Sequence, residues 1–300
     1  MSPGSSASMP HAGPSGSHAL NLGLADADVP TLIAIWLGEL DRFTAVAAAL
    51  TDEQWRAASS CPGWTVGDVV AHVIALESEL HGDPLPQHKP DWTSLPHVLN
   101  DFAEYIEVPV DVRRGRSRED VVAELTELVA ARHDDLADAP TDPDQLVPTF
   151  AGMQVARKRA AQMRILDVWV HEQDVRDGAG RPGGLDTDAA WVTAGRFTSG
   201  LPYVWGKVVG APIGATLEVD VTGPGVIFTR TVQVGSNGRA QLIDSIAEEP
   251  DVRLWCPWPT FSHLCAGRLG SAGELATGAV VVEGDHDLGR RLLPSLAVTP

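Results

Sequence analysis

Along the first two thirds of the chain, apolar residues recur every three or four positions, which is the spacing of amphipathic helices. The first apolar stripe begins near Pro30, a residue type favoured in the first turn of a helix, and continues to Val46. A second stripe begins after Thr65, a predicted N-cap, with Asp68 three residues later to complete a variant of the capping box. The pattern predicts that this second helix extends to about Leu80.

Further helical patterns cover roughly 97–107, 118–137, 153–177 and 186–205. Prolines interrupt the stretches 82–96 and 138–148, so we expect both to be connections between helices. The Gly-rich segment 178–184 follows a helix and not a strand, which indicates a helix end and argues against a phosphate-binding loop. The first part of the chain is therefore predicted to be a helical bundle.

The pattern changes after residue 205, where polar and apolar residues begin to alternate. Thr216–Val221 and Val226–Val234 alternate in this way and flank the turn sequence Gly223-Pro224-Gly225, which predicts a β-hairpin. Short strands are also predicted at Val252–Trp255 and Val280–Glu283, and helices at Pro259–Arg268 and Asp285–Leu296. This mixture of strands and helices is typical of a small α+β domain.

The 300 residues are enough for two domains, and we expect an α+β protein with that division. The predicted parts are a disordered tail at 1–27, a helical domain at 28–205 and an α+β domain at 206–300. The tail is rich in Ser, Gly, Pro and Ala, and it lacks the basic start and apolar core of a signal peptide.

Charge and cysteine content narrow the classes of partner. The chain has 22 Lys and Arg against 40 Asp and Glu, a formal net charge of −18 that repels nucleic acids and anionic membranes. It has no run of 18 apolar residues, so we expect no membrane-spanning segment. The chain has three cysteines, at positions 61, 256 and 265. This number is odd and is too small for a disulfide scaffold, which favours a reducing compartment and predicts a cytoplasmic protein.

Asp167 and His171 are the strongest candidates for chemistry. They are four residues apart on a predicted helix and therefore project from the same face. Apolar neighbours indicate that this helix is buried nearly all round, and buried ionisable groups need an opposite charge or a metal. His72 lies among apolar residues of another predicted helix. Three such ligands with an open position are typical of a catalytic metal site, whereas an ion pair and a core histidine bonded to a carbonyl are the alternatives.

Other polar residues near these positions have several interpretations. Glu172 and Asp174 are placed to orient His171 or to cap the end of its helix. Glu77 is expected to be solvated or to contact a metal ligand. Cys61 is expected to be a structural residue of a turn, and a nucleophile is the alternative. The chain contains no G-x-S-x-G nucleophile elbow, which argues against Ser-His-Asp catalysis.

Three motifs of the helical part resemble the mycothiol-dependent maleylpyruvate isomerase family, which belongs to the DinB-like metalloenzymes. The motifs are Cys61-Pro62-Gly63-Trp64-Thr65-Val66-Gly67-Asp68-Val69-Val70-Ala71-His72, Asp167-Val168-Trp169-Val170-His171-Glu172-Gln173-Asp174-Val175-Arg176 and Gly180-Arg181-Pro182-Gly183. Cys265-Ala266-Gly267-Arg268 and residues 280–285 resemble the C-terminal domain of that family, which is akin to sterol carrier proteins. The resemblance covers about residues 28–298.

The resemblance implies a DinB-like four-helix bundle that holds Zn²⁺ through His72, Asp167 and His171. The isomerase has Glu at the position of Asp167, whose side chain is one methylene shorter. Arg268 lies in a Gly-Arg motif of the second domain, where a bidentate contact with a substrate carboxylate and an interdomain salt bridge are both consistent with its chemistry.

The resemblance also implies an enzyme that uses mycothiol, the low-molecular-weight thiol of actinobacteria. The metal would activate this thiol for attack on a small electrophile, either as a maleylpyruvate-type cis–trans isomerase or as a mycothiol S-transferase. A non-catalytic module that binds a small molecule, a lipid or a protein is the alternative. We expect a monomer or a homodimer with no nucleic-acid or membrane partner.

Overall fold

The computed structural model describes residues 22–246, 248–268 and 278–298. The part before residue 205 is helical, apart from a two-stranded hairpin. Its helices are α1 (Val29–Ala48), α2 (Asp52–Arg56), α3 (Val66–His81), α4 (Asp101–Arg114), α5 (Arg118–Ala137), α6 (Arg157–Gly178) and α7 (Asp188–Tyr203). None of the helices that the structure describes is both long enough and apolar enough to cross a membrane.

The start of α3 is fixed by local sequence, as predicted. The hydroxyl of Thr65 accepts a hydrogen bond from the Asp68 main-chain N–H, and the Asp68 carboxylate accepts one from the N–H of Thr65. This capping box satisfies N–H groups that a helix start otherwise leaves without partners. The helix that carries His72 therefore begins at a defined residue.

α6 lies at the centre of the bundle and packs against α1, α3 and α7. Residues 168–175 are all buried, which confirms the prediction that this helix is enclosed over most of its circumference. α6 ends at Gly178, where the Gly-rich segment begins as predicted.

Two helix boundaries differ from the predictions. α6 begins at Arg157 because Gln154–Ala156 form a strand, β2, that pairs antiparallel with β1 (Leu146–Pro148) in the predicted connection. The helix predicted at 97–107 begins instead at Asp101, where the side chain of Asn100 accepts a bond from the Ala103 N–H, and continues to Arg114.

The predicted disordered tail is wrong for its last residues. Gly23–Asp26 form a 3₁₀ turn, and Leu22 and Ala25 are buried against the bundle. The side-chain amide of Gln162 donates to the main-chain oxygen of Ala25, so this turn is bonded to α6. The apolar Leu22 explains the order, because its burial offsets the entropy lost on fixing the turn. Residues 1–21 of the predicted tail lie outside the described residues.

The C-terminal part is built on a sheet of strands β3 to β7. The strands are β3 (Thr216–Thr222), β4 (Phe228–Val234), β5 (Ala240–Ile243), β6 (Val252–Pro257) and β7 (Val281–Gly284), in the spatial order β5-β4-β3-β6-β7. β3 and β6 are parallel and the other neighbours antiparallel. The α-helices that the structure describes in this part are α8 (Trp258–Cys265) and α9 (His286–Leu292), in agreement with the predicted α+β composition.

The hairpin predicted around Gly223-Pro224-Gly225 is present as β3 and β4, and α8 is shorter than the predicted helix at 259–268. β5 was not predicted. It is a short edge strand without a buried residue, so its sequence lacks the alternation of apolar and polar residues that indicates a strand.

The two parts of the chain share a continuous core at the helix that carries Asp167 and His171. Trp258, the first residue of α8, packs its ring 5.3 Å from that of Trp169 on α6 and 6.5 Å from that of Phe197 on α7. The C-terminal part therefore contacts α6 directly, next to the predicted metal ligands.

Candidate metal centre

The structure brings the three predicted ligands together. His72 on α3 and the pair Asp167 and His171 on α6 each offer a ligand atom, and these atoms all lie within 4.8 Å of one another. The Nε2 atom of His171 is 3.7 Å from Oδ1 of Asp167, and the ring centroids of the two histidines are 4.7 Å apart. Residues from two helices thus converge on one point.

His72 is buried, and one of its ring nitrogens has no hydrogen-bond partner among the described residues. This nitrogen is Nδ1, and the ring of Trp64 lies 5.2 Å from the His72 ring. Burial, reinforced by the charge of His171, lowers the pKa of His72 to about 3. The imidazole is therefore neutral at pH 7, which is the form that binds metals.

His171 is held in a different environment. Its Nδ1 atom lies 2.9 Å from Oδ2 of Asp174, one helical turn further along α6. Burial lowers the pKa of His171, but the carboxylates of Asp167 and Asp174 outweigh burial and raise it to about 10. A histidine whose second ring nitrogen bonds a carboxylate is the usual arrangement of a metal ligand, because the bond fixes the ring and its tautomer.

Asp174 is itself bonded by residues from three parts of the chain. The Sγ atom of Cys61 lies 3.2 Å from its Oδ2, and Arg268 donates to its two oxygens from Nε and Nη2, each at 2.9 Å. Burial acts to raise the pKa of Asp174, but the bonds from His171 and Arg268 hold it well below its usual range. The carboxylate that orients His171 is therefore ionised and fixed.

Asp167 is the ligand closest to solvent, with 29% of its side chain exposed. Its Oδ2 atom accepts a hydrogen bond of 2.9 Å from Nη1 of Arg164, and its Oδ1 atom faces His171. Although burial acts to raise the pKa of Asp167, the positive charges of Arg164 and His171 lower it overall. The carboxylate is thus available as an anionic ligand.

A small cleft of about 10 Å³, room for about one water molecule, adjoins His72 between α3 and α4. Apart from His72, its lining is mostly apolar and consists of Ala75, Leu76, Glu79, Leu85, Tyr105, Ile106 and Pro109. The Ala151 N–H donates to Glu79 Oε1 at 3.0 Å and to the Tyr105 hydroxyl at 2.9 Å, and this hydroxyl also bonds the Glu79 carboxylate. The hairpin connection, where Ala151 has a left-handed φ of 56°, therefore anchors one wall of the cleft.

Among the residues that the structure describes, two groups of side chains have the spacing of metal ligands, and they share His171. In the group of Cys61, His171 and Asp174, the carboxylate is already bonded by Arg268 and by the His171 ring. In the other group, His72 has an unbonded buried nitrogen and Asp167 has a partly exposed carboxylate. Two imidazoles and a carboxylate are the donors of many catalytic zinc sites, so the second group fits a metal better.

Residues 36–176 match a family model described as the mycothiol maleylpyruvate isomerase N-terminal domain. The match lies within the helical part of the chain and includes α1 to α6 in part or whole. A crystal structure of the mycothiol-dependent maleylpyruvate isomerase is similar over 87% of this chain and 95% of its own, with 15% identity and a TM-score of 0.53. A histidine-to-alanine mutant of an enzyme with the same name gives 14% identity and the same coverage and TM-score. At this identity the likeness establishes a shared fold.

Sterol carrier protein 2 from Yarrowia lipolytica is similar over 35% of this chain and 89% of its own, with 14% identity and a TM-score of 0.28, which is too low to support an argument. The comparison with curated proteins finds no match.

All three predicted ligands lie within residues 36–176, the part that matches the family model. Arg268 belongs to the C-terminal part. Arg268 does not join the three ligands, and its contact is with Asp174. Of the two interpretations of Arg268, the structure shows the salt bridge, and the substrate contact stays a prediction.

Sequence reasoning missed Arg164 and the contact that Cys61 makes. Arg164 is three residues before Asp167 on the same helix face, a spacing at which an ion pair was foreseeable. The contact between Cys61 and Asp174 spans 113 residues and left no local signal. Glu77 is also not solvated: it is fully buried and bonded to Arg164.

Proposed function

We propose that this chain is a zinc-dependent enzyme that activates a low-molecular-weight thiol, mycothiol, for attack on a small electrophile. The observation that carries the proposal is the convergence of His72, Asp167 and His171 within 4.8 Å, beside a cleft and with one ligand partly exposed. The match of the helical part to the family model and the shared fold of a mycothiol-dependent enzyme support the choice of thiol.

His72, Asp167 and His171 would hold the zinc ion. Bound zinc supplies a positive charge that keeps a coordinating thiol in its thiolate form, whereas a free thiol with a pKa of about 8.5 is mostly protonated at pH 7. Asp174 fixes the ring of His171 through Nδ1, so that Nε2 is directed towards Asp167. The apolar side chains that line the cleft would contact the hydrocarbon part of an electrophile placed beside His72.

The thiolate forms a C–S bond at an electrophilic carbon. In the isomerase form, it adds to a cis double bond conjugated to a carbonyl, the resulting single bond rotates, and elimination of the thiol restores the double bond as trans. In the transferase form, the C–S bond persists, either in the adduct or after a leaving group departs with the bonding electrons. Both forms use the same activated nucleophile.

Charges around the cleft favour the transferase form with an uncharged electrophile. A dicarboxylate such as maleylpyruvate needs cations, yet Arg268 is held by Asp174 and Arg164 by Glu77 and Asp167. The cleft lining includes the carboxyl group of Glu79 and no arginine or lysine from the described residues. If Arg268 binds a substrate carboxylate, it must first release Asp174.

The test is a thiol-consumption assay with the zinc-loaded full chain, mycothiol and two electrophiles, maleylpyruvate and 1-chloro-2,4-dinitrobenzene, followed by mass spectrometry. We expect a persistent mycothiol conjugate of the aromatic chloride and at least a hundredfold loss of rate in His171→Ala, since a catalytic metal supplies several kcal/mol. His133→Ala is the matched control, because His133 pairs with Asp41 at the surface.

Isomerised maleylpyruvate with no loss of thiol would establish the isomerase form instead. If neither electrophile reacts faster than in buffer, the chain is not a thiol-activating enzyme of this kind, and the non-catalytic binding module becomes the better interpretation.

A further inference from the structure

Glu77 joins four helices of the bundle in a buried polar cluster. It lies on α3 and is fully buried. Its Oε1 atom accepts bonds from Trp36 Nε1 on α1 at 3.1 Å and from Nε and Nη2 of Arg164 on α6 at 3.0 and 2.9 Å. Its Oε2 atom accepts a bond of 3.0 Å from Nε of Arg132 on α5. Charged groups from α3, α5 and α6 are thus paired inside the core.

Stability alone does not explain this cluster. Removing charges from water costs several kcal/mol per ion, and well-packed apolar residues in place of a buried ion pair are often as stable or more so. Such a cluster does define a unique arrangement, because each hydrogen bond has one geometry. Here it sets α6, the helix of Asp167 and His171, against α3, the helix of His72.

Arg164 extends the cluster to the metal centre. Only 2% of its side chain is exposed, and two of its three nitrogens are bonded to Glu77. The third, Nη1, donates to Oδ2 of Asp167 at 2.9 Å. Because Glu77 fixes the guanidinium, the bond to Asp167 in turn fixes the rotation of the carboxylate.

We propose that Arg164 is a positioning residue of the candidate metal centre, which holds Asp167 so that its Oδ1 atom, and not Oδ2, faces Nε2 of His171. Oδ1 is the oxygen that lies 3.7 Å from Nε2 of His171, whereas Oδ2 is occupied by the arginine. The inference rests on the proposed function, since it assigns Asp167 to a metal.

This arrangement has two consequences for the centre. A carboxylate that offers one oxygen contributes one bond to the metal and leaves other coordination positions for a thiol. The positive charge of Arg164 also weakens the attraction between Asp167 and a metal cation. Any increase in metal affinity that Arg164 provides must therefore come from orienting the carboxylate. Removal of Arg164 therefore distinguishes the two effects. If Arg164 orients Asp167, its removal weakens metal binding, whereas if its charge alone matters, its removal tightens metal binding.

The experiment compares Arg164→Met with Arg132→Met, a matched control that removes another arginine from Glu77 without touching Asp167. Zinc affinity of the full chain is measured by competition with a chromophoric chelator. We expect the Kd for zinc to rise about 10- to 100-fold in Arg164→Met, the usual effect of losing a partner of a metal ligand, and by about threefold at most in Arg132→Met. The absorption spectrum of bound Co²⁺ should change in the first variant only.

A second variant controls for a folding defect, because Arg164→Met leaves the buried charge of Glu77 partly uncompensated. The double variant Arg164→Met/Glu77→Gln removes both charges and should show the same weakened zinc binding and altered Co²⁺ spectrum. Equal zinc affinity and equal Co²⁺ spectra in wild type, Arg164→Met and the double variant would overturn the inference, as would tighter binding. If wild type itself binds no zinc, the proposed function fails instead.

Discussion

Two histidines 4.7 Å apart differ in protonation because their neighbours differ. The pKa of His72 falls to about 3, since burial is not compensated by a carboxylate bonded to its ring. The pKa of His171 rises to about 10 despite burial, because Asp167 and Asp174 flank its two nitrogens. Residue types and spacing predicted the three ligands, but they contained no information on this difference, which depends on the folded environment.

Another buried group with a shifted pKa, Glu39, lies on α1 beside Glu172 of α6. Burial, together with the neighbouring carboxylate of Glu172, raises the pKa of Glu39 to about 9 from its ordinary 4.5. Between those two values the folded state retains a proton that the unfolded state has released. The free energy of unfolding should therefore fall as the pH rises through this window.

Glu39→Gln imitates the protonated carboxyl group and should remove this pH dependence. Relative to wild type, the variant should gain stability as the pH rises from 6 to 8, on the order of 1 kcal/mol per pH unit, since one proton is involved. Urea denaturation at both pH values measures the effect. The exposed Glu53→Gln is the control. A constant difference between Glu39→Gln and wild type at pH 6 and 8 would show that Glu39 is ionised in the folded protein.

The two helices that carry the predicted ligands, α3 and α6, meet closely at one end. A Cβ atom added at Gly178, the last residue of α6, would lie 2.6 Å from Val66 Cγ2 and 2.8 Å from the Ala58 oxygen. The glycine therefore permits the contact that brings His72 and His171 into register. From sequence, Gly178 indicated only a helix end, because close approach to another helix depends on tertiary packing.

Element boundaries were predictable where local chemistry sets them. The capping box of α3 is such a case, since Thr65 and Asp68 bond within one turn. The start of α6 was not predictable, because the three-residue strand β2 depends on pairing with β1 and not on periodicity. The same holds for the edge strand β5.

Thr65→Ala tests the contribution of the α3 cap. Loss of an N-cap hydroxyl leaves a helix N–H without its partner, so we expect the free energy of unfolding to fall by about 1 kcal/mol. Ser117→Ala removes the corresponding cap of α5 and should cost a similar amount. Urea denaturation measures both variants. A Thr65→Ala protein as stable as wild type would mean that tertiary contacts alone define the start of α3.

At the scale of the whole molecule, the C-terminal part contacts the helix that carries two of the three predicted ligands. Arg268 bonds Asp174, and His263 of α8 pairs with Asp177 at 2.8 Å, so two acidic residues near the end of α6 contact this part. Trp258 packs against the same helix. The sequence and the family resemblance predicted the three ligands and the α+β division, but the partner of Arg268 is 94 residues away and was left as one of two alternatives.

The equilibrium zinc content of the full chain, prepared without chelator and measured by elemental analysis, tests the central claim most directly. We predict one zinc ion per chain in wild type and in the control His133→Ala. His72→Ala, Asp167→Asn and His171→Ala should each lose most of the metal while their helical circular dichroism remains, because each removes one of three protein ligands. Wild-type protein with less than about a tenth of an equivalent of metal, or full zinc retention in all three variants, would contradict the account.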